Sequence, residues 1–442
     1  MGEQTAGGKT KDAKFNFGPK GWALVIMGFL AYLVYMSFDN GLNYIVPAYS
    51  ASLQANPTTL FLFSSIGGWV GVVGLIVFGA LRQKIGIKTT TLIAMGLFTA
   101  ATIGWIFAPT VGIYAICAIL VKSMGCVVAQ YCFSEFGANW FPTKKGNYMG
   151  VITIGVVFGG FMGNMVIGVI SMSKGIQTAL AIMAIISVIV FILFCIILKD
   201  NPEDAGAFPD NDKNMTPEMA KAILAKGKAY EKASPWTIGK CLKTPAVWLC
   251  ALSFGLLLLV AQGTMAQVTL ISNSFGYSEQ IALMVNLVGA PIAIAATLLA
   301  GVLDQKAGTK KASIVCILFS VVGCLVVGLL GGKAPVAMFI GVWLVFASCS
   351  GGNNMIMSMT ATLWGRFDFS KPYLCILTIA TIIDSFGYVI LSALADAFGG
   401  YGPALIVCAG ISIVSLILML VLKDKYIGST EEEMDAIIKS IG

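Results

Sequence analysis

Three charged residues lie inside long apolar stretches of this sequence, where a charge is costly. Lys122 and Asp384 stand near the middle of two such stretches, and Asp39 stands toward the end of a third. An ionised side chain at the centre of a bilayer costs about 2.5–3.5 kcal/mol even on lenient insertion scales, so charges at such positions mark pathways for substrates or ions. We therefore expect the Lys122 ammonium to bind a substrate carboxylate and Asp384 to take up and release a proton.

Each of these residues also has a structural alternative. Lys122 could form an ion pair with an acid on a neighbouring helix, and Asp384 could be the acid that neutralises it. Because the two residues fall in opposite halves of the chain, such a pair could also be a gate that substrate breaks. Asp39 is followed by Gly41 and Pro47, which loosen a helix, so this acid could either line a cavity or cap an outer loop.

Polar amides occur within the same kind of stretch. They could fix a substrate by hydrogen bonds, or they could join helices to one another. The candidates are Gln130, Gln262, Gln267, Asn286, Asn353 and Asn354.

The elements that carry these residues are membrane-spanning helices. Hydrophobic residues make up 57% of the chain and charged residues only 11%, whereas soluble domains carry about 25% charged residues. Apolar runs of about 20 residues predict transmembrane helices rather than the shorter alternating strands of a barrel. Twelve such runs occur, at about 21–47, 59–81, 89–108, 111–135, 147–170, 176–198, 245–271, 280–303, 312–331, 335–359, 373–397 and 402–422.

The chain is an internal duplication. The stretch 79–88 reads GALRQKIGIK and the stretch 301–310 reads GVLDQKAGTK, so six of ten positions agree at a separation of 222 residues. Trp140 and Trp364, which follow the fourth and tenth runs, are 224 residues apart. Six spans repeated in parallel are typical of a two-bundle secondary transporter. The predicted fold is therefore an all-α integral membrane protein whose twelve transmembrane helices form two pseudo-symmetric six-helix bundles.

This duplication divides the chain into five segments. We expect a cytoplasmic tail over 1–20, a first six-helix bundle over 21–198, a cytoplasmic linker over 199–244, a second bundle over 245–422 and a cytoplasmic tail over 423–442. Within the linker, residues 216–232 begin with Thr-Pro and predict a surface helix.

The distribution of basic residues predicts the orientation. If the amino terminus is cytoplasmic, only Lys174 and Lys333 of the 28 Lys and Arg fall in outer loops, and only Lys122 falls within a span. The remaining basic residues then lie inside, as the positive-inside rule requires. We expect a multi-pass protein of the cell membrane with both termini cytoplasmic.

Several kinds of chemistry are excluded. The sequence contains no histidine, which removes imidazole catalysis and imidazole metal ligation. Most of its 11 cysteines lie in apolar runs and are interpreted as small packing residues. No nucleotide-binding motif or clustered nucleophile and base is present. We expect no enzyme activity, no catalytic residue, no metal, no cofactor and no nucleic-acid partner.

The duplicated loops resemble the signature of the major facilitator superfamily. That signature, roughly G-x-L-x-D-[RK]-x-G-x-[RK], follows the second helix of those transporters and has a degenerate echo after the eighth. The matching gate and loop positions here include Gly79, Lys84, Gly86, Gly301, Lys306 and Gly308. The acidic position of the signature is Gln83 in the first copy and Gln305 in the second, which removes the ion pair that this acid makes in the family.

A second motif resembles a subgroup of that superfamily. The run Asn139-Trp140-Phe141-Pro142, followed by two lysines and a glycine-rich fifth span, is similar to oxalate/formate antiporter-like proteins and monocarboxylate porters. Members that carry a dicarboxylate are expected to place basic residues in spans eight and eleven. This chain has Asn286 and Asp384 there, which argues against a dianion.

The predicted function is secondary active transport of a small organic anion, such as a monocarboxylate, by alternating access. Proton symport or anion exchange would supply the energy. The alternative is a transporter or exporter of a neutral or cationic metabolite or drug that uses Asp384 and Asp39, with Lys122 structural. The expected partners are a small-molecule substrate, protons and the lipid bilayer, and we expect a monomer.

The fifth span contains three glycines at four-residue spacing. Gly155, Gly159 and Gly163 place small residues on one helix face. Such a face lets a neighbouring backbone approach closely, so we expect tight helix packing here.

Overall fold

Twelve helices long and apolar enough to cross a membrane account for most of the chain. The computed structural model describes residues 16–141, 144–213, 216, 218–219, 234–365, 368–430 and 433, and it contains no β-strand among them. The spans are α1 (Gly18–Leu53), α2 (Pro57–Ile85), α3 (Ile87–Ile106), α4 (Val111–Trp140), α5 (Asn147–Lys174), α6 (Ile176–Ile197), α7 (Pro245–Ala266), α8 (Glu279–Ala307), α9 (Thr309–Leu330), α10 (Pro335–Trp364), α11 (Ser370–Phe398) and α12 (Tyr401–Val421).

The prediction of an all-helical membrane fold with twelve spans is confirmed. Several helices extend beyond their apolar runs, as α1 does at both ends, because backbone hydrogen bonding continues through polar residues that a hydropathy count leaves out. The surface helix predicted over 216–232 lies largely outside the described residues.

The duplicated loops end their helices in the same way. Gly86 follows α2 with φ +82° and donates its N–H to the Arg82 carbonyl, and Gly308 follows α8 with φ +89° and donates to the Asp304 carbonyl. Both glycines combine a positive φ with an extended ψ, a conformation that is essentially confined to glycine. This requirement explains why a glycine stands at this point of both repeats.

Buried apolar side chains form two clusters that follow the duplication. One cluster runs from Phe17 to Leu198 and also includes Ala266 and Tyr388, whereas the other runs from Trp236 to Leu422. We call the helices α1–α6 the first half and α7–α12 the second half. Tyr388 is thus a second-half residue that packs into the core of the first half.

Glycine faces bring two helix pairs into backbone contact. A Cβ at Gly155, Gly159 or Gly163 of α5 would lie 2.3–2.5 Å from carbonyl oxygens of α1. The predicted close packing of the fifth span is therefore confirmed. The second half repeats it, because a Cβ at Gly387 of α11 would lie 2.2 Å from the Leu259 carbonyl oxygen of α7.

The two halves meet at the end of the bundle away from the chain termini, here called the distal end, which contains Leu53, Pro57 and Phe398. Thr58 Oγ1 lies 2.7 Å from Asp396 Oδ2 and 2.8 Å from Ser392 Oγ. Nearby, three further hydrogen bonds cross from α1 to the second half: Asn43 to the Met265 carbonyl, the Thr269 N–H to Asn43, and Asn286 to Tyr44. Among the described residues, every hydrogen bond between the halves lies between mid-span and the distal end.

Candidate functional site

A lysine, an aspartate and a tyrosine form a polar cluster where the halves meet. The Lys122 ammonium of α4 forms an ion pair with Asp39 of α1. The Tyr388 hydroxyl of α11 lies 2.6 Å from Lys122 Nζ and 3.1 and 3.2 Å from the two Asp39 carboxylate oxygens. We call these three residues the Lys122 cluster. The first half supplies both charges, and the second half supplies the hydroxyl.

Aromatic rings surround the ammonium. Lys122 Nζ lies 4.7 Å from the centroid of the Tyr388 ring and 5.6 Å from that of Tyr35. Both separations fall within the range of cation–π attraction. The charge is therefore held by one carboxylate and two ring faces at the edge of the first-half core.

Small residues let the helices approach closely enough to build this cluster. A Cβ at Gly67 of α2 would lie 2.8 Å from Lys122 Cβ, and a Cβ at Gly125 would lie 2.2 Å from the Tyr35 ring. The spans α2, α4 and α1 can thus press together around the ammonium because these positions carry no side chain.

Helix α11 is interrupted beside the cluster. Its first segment ends at Asp384, and its second segment begins at Gly387. Broken helices at the middle of a membrane are typical of transporter binding sites, because their exposed backbone groups can face a substrate. Asp384 and Tyr388 therefore flank a break at the boundary between the halves.

Asp384 does not neutralise Lys122. Its carboxylate is half-buried, and its one described hydrogen bond comes from Ser385 Oγ at 3.4 Å. The ion pairs of the described residues are Lys122–Asp39 and Arg82–Glu135, so the structural pair considered from the sequence forms with Asp39 instead. The reason is that α1 and α4 belong to the same packed bundle, whereas Asp384 lies across the boundary.

Asp39 lies in the protein core and does not cap an outer loop. Its residue surface is only 9% exposed, and its carboxylate faces Lys122. The helix α1 continues past it to Leu53, which leaves no loop for it to cap. The cavity interpretation from the sequence is the one consistent with this position.

A small cavity adjoins the ion pair within the first half. Its volume of about 10 Å³ leaves room for about one water molecule. The Trp105 indole lines it, and Trp105 Nε1 is buried without a hydrogen-bond partner among the described residues. The other lining residues are Tyr35, Phe38, Asp39, Leu42, Ser64, Ala118, Val121 and Lys122.

The predicted amides do not bond to the Lys122 cluster. Asn286 is buried and donates to the Tyr44 hydroxyl at 3.3 Å, which joins the halves. Gln262 is half-buried, whereas Gln130, Asn353 and Asn354 are exposed. Asn353 donates to the Cys349 carbonyl of its own helix.

The amide that touches the site region is Gln267. It follows α7 at a break and donates to the Tyr388 carbonyl at 2.7 Å, while the Tyr401 hydroxyl donates to its side-chain oxygen at 2.9 Å. Gln267 therefore fixes the backbone of Tyr388 within the second half.

Sequence reasoning missed Tyr388. The available signal was its spacing, because a residue four positions after Asp384 lies on the same helix face. Aromatic residues are common in membrane helices, however, and nothing in the sequence shows that this tyrosine faces Lys122 rather than lipid.

The loop-motif lysines lie away from this cluster. Lys84 and Lys306 are exposed, at the end of the bundle opposite the distal end. Next to Lys84, Arg82 forms an ion pair of 2.5 Å with Glu135. This pair joins α2 to α4 within the first half, so it fixes the loop without linking the halves.

The chain is similar to known transporters in sequence pattern and in fold. The family model described as Major Facilitator Superfamily matches residues 29–366. The structure is similar to the crystal structure of a D-xylose–proton symporter, with a TM-score of 0.73 at 14% identity over 92% of this chain and 99% of that one. A search of curated protein sequences found no match.

Two further solved structures are similar. The xylose transporter XylE from E. coli, in a partially occluded inward-open conformation, gives a TM-score of 0.68 at 14% identity over 90% of this chain and 98% of that one. An inward-facing, unoccupied bacterial homologue of the human lysosomal transporter Spinster gives 0.68 at 12% identity over 96% of this chain and all of that one, at 100%. At these identities the likeness concerns the fold.

Proposed function

Because this chain belongs to the major facilitator superfamily and is a transporter rather than an enzyme, we propose that its cargo is a small organic anion of monocarboxylate type. Alternating access would expose the Lys122 cluster first to one side of the membrane and then to the other. The observation that carries this proposal is the position of Lys122. Among the described residues it is the one cation near mid-span, and it lies where the halves meet.

The charges of the cluster favour proton symport. Lys122 and Asp39 cancel one another, and Asp384 lies nearby without a cation partner among the described residues. A substrate carboxylate at Lys122 would add a further negative charge in a low-dielectric region, which is strongly disfavoured. A proton taken up by Asp39 or Asp384 would offset that charge. Anion exchange is the other coupling that would conserve charge at this site.

A second candidate cargo is a neutral or cationic metabolite. The unpaired, half-buried carboxylate of Asp384 supports it, because this group could accept a hydrogen bond or hold an amine. In that case Lys122 and Asp39 would form a structural pair, and Asp384 would carry the binding.

The remaining features of the proposal follow from the sequence. We place the protein in the cell membrane as a monomer, with 1–20, the linker 199–244 and 423–442 on the cytoplasmic side, as the basic loops indicate. The bundles are then 21–198 and 245–422. The subgroup resemblance at Asn139 and Trp140 supports a monocarboxylate rather than a dianion.

Ligand-dependent thermal unfolding of the purified protein tests the cargo class. The panel comprises formate, acetate, lactate and pyruvate, together with small amines and neutral sugars. A ligand at 100 times its Kd adds about 2.7 kcal/mol to the unfolding free energy. We expect a carboxylate to raise the melting temperature of the wild type but not of Lys122→Gln/Asp39→Asn, which removes the cation without leaving an unpaired buried charge.

Lys174→Gln is the matched control, because Lys174 is an exposed lysine at a helix end. It should keep the full response to carboxylates. Stabilisation by amines or sugars, lost in Asp384→Asn and kept in the Lys122 variant, would contradict the anion proposal and support the second candidate.

A further inference from the structure

The Tyr388 hydroxyl is hydrogen-bonded to both charged groups of the cluster. Tyrosine carries one O–H donor and can also accept, so it accepts from Lys122 Nζ at 2.6 Å while it donates to Asp39. An acceptor oxygen at this distance from the ammonium is also what a bound carboxylate would supply. The protein therefore places its own oxygen where an anion would bind.

Tyr388 is rigidly attached to the second half. Its carbonyl accepts from Gln267, and the preceding Gly387 is in backbone contact with Leu259 of α7. Lys122 and Asp39 belong to the first half. A movement that separates the halves at the distal end would therefore carry the hydroxyl away from Lys122.

The same segment of α11 closes the distal end. Ser392 stands one helical turn beyond Tyr388 and lies 2.8 Å from Thr58 of α2, and Asp396 lies one turn further on and accepts from the same residue. The Lys122–Tyr388 bond and these contacts thus form and break together. Closure of the distal end and hydrogen bonding at Lys122 are geometrically coupled.

We infer that the Tyr388 hydroxyl acts as a built-in substitute for a substrate oxygen at Lys122. Anion binding at Lys122 and closure of the distal end onto Tyr388 then compete for the same ammonium. This inference rests on the proposed anion site and makes Tyr388 a positioning residue that regulates it. It also gives the carrier a way to close over Lys122 without cargo, which net transport requires and obligatory exchange does not.

Disulfide cross-linking across the distal end measures closure without any ligand. In the Thr58→Cys/Ser392→Cys variant, oxidation should join the halves whenever the distal end is closed. We expect Tyr388→Phe, which removes only the hydroxyl, to slow cross-linking by about tenfold, the effect of one hydrogen bond to a charged group. Tyr35→Phe is the matched control, because the Tyr35 ring is also near Lys122 and its hydroxyl bonds to neither charge among the described hydrogen bonds; its rate should stay within about twofold.

Native thiols do not interfere with this measurement. Cys195 is the exposed native cysteine and is replaced by serine in all variants. Outside the spans, burial raises the pKa of the Cys241 thiol to about 11, so that group stays protonated and unreactive at neutral pH.

A second background separates the proposed role from a general packing role. If the hydroxyl acts through Lys122, Tyr388→Phe should have no further effect on cross-linking in the Lys122→Met/Asp39→Asn protein. The same tenfold slowing in both backgrounds would overturn the inference, and so would an unchanged rate in Tyr388→Phe.

Formate is the probe for the competition itself. Its affinity, measured by thermal shift, should be about tenfold tighter for Tyr388→Phe than for the wild type, because the competing oxygen is gone. An equal or weaker affinity would overturn the competition. If formate bound neither protein, the anion site and the competition would both fail, whereas the cross-linking would still decide whether Tyr388 closes the distal end.

Discussion

The two halves share their packing but not their chemistry. With the 224-residue separation of Trp140 and Trp364, the counterpart of Lys122 is Phe346, a buried ring in the second-half core. With the 222-residue separation of Ser37 and Leu259, whose carbonyls meet equivalent glycines, the counterpart of Asp39 is Ala261. The duplication therefore preserved a scaffold of close helix contacts, while polar groups were placed independently in each half.

The difference shows where function can be read in a duplicated protein. Asp384 aligns with Gly159 through the pair Tyr148 and Tyr373, so the second half holds an acid where the first half holds a packing glycine. Positions that agree between the halves, such as the loop glycines, carry structure. Positions that differ in charge carry the candidate site.

The largest expected effect comes from the ion pair that only the first half possesses. Asp39→Asn leaves the Lys122 ammonium buried without a countercharge, which costs about 3–5 kcal/mol. Asp384→Asn makes the same chemical change at a half-buried acid without a described cation partner and should cost less than about 1 kcal/mol. Reversible unfolding in detergent measures both values.

The double variant Lys122→Met/Asp39→Asn sharpens this comparison. Removal of both charges should recover most of the loss, because replacement of a buried ion pair by apolar groups is often neutral. Equal costs for Asp39→Asn and Asp384→Asn would contradict the one-sided charge arrangement.

A smaller effect should appear equally in both halves. Gly159→Ala would place a Cβ 2.5 Å from the Leu33 carbonyl oxygen, and Gly387→Ala would place one 2.2 Å from the Leu259 oxygen. Because the obstructing atoms are backbone, the helices must shift, and overpacking of this kind costs about 1–3 kcal/mol.

The matched control for this pair is Gly410→Ala. A Cβ there meets nothing within 4 Å, and alanine is better than glycine in a helix by about 1 kcal/mol, so stability should be unchanged or higher. A large loss in one half and none in the other would show that the shared packing is not energetically equivalent.

The fold was predictable from the sequence because membrane physics leaves few choices. Every backbone group must be satisfied within the bilayer, so an apolar run of spanning length has to be a helix. The duplicated loops then indicated two bundles, and the glycine spacing of α5 predicted its close approach to α1.

The candidate site was predictable only in part. The cost of burial singled out Lys122, Asp39 and Asp384, but it did not show which acid pairs with the lysine. That pairing depends on which helices pack together within a bundle. Tyr388 could not be identified, because its role depends on a contact across the halves that leaves no periodic signal in the sequence.

The smallest expected difference between the halves concerns the two tryptophans that reveal the duplication. Trp140 Nε1 donates to the Lys199 carbonyl at 3.1 Å, whereas Trp364 Nε1 is buried without a partner among the described residues. Replacement by phenylalanine removes a similar volume at both positions, but only Trp140→Phe also leaves a carbonyl without its donor. We expect Trp140→Phe to cost about 1–2 kcal/mol more than Trp364→Phe, measured by unfolding of both variants under identical conditions. An equal loss would mean that ring packing, here the edge contact of Trp364 with Trp236 at 5.6 Å, outweighs the hydrogen bond and that this pair is equivalent in energy as well as in position.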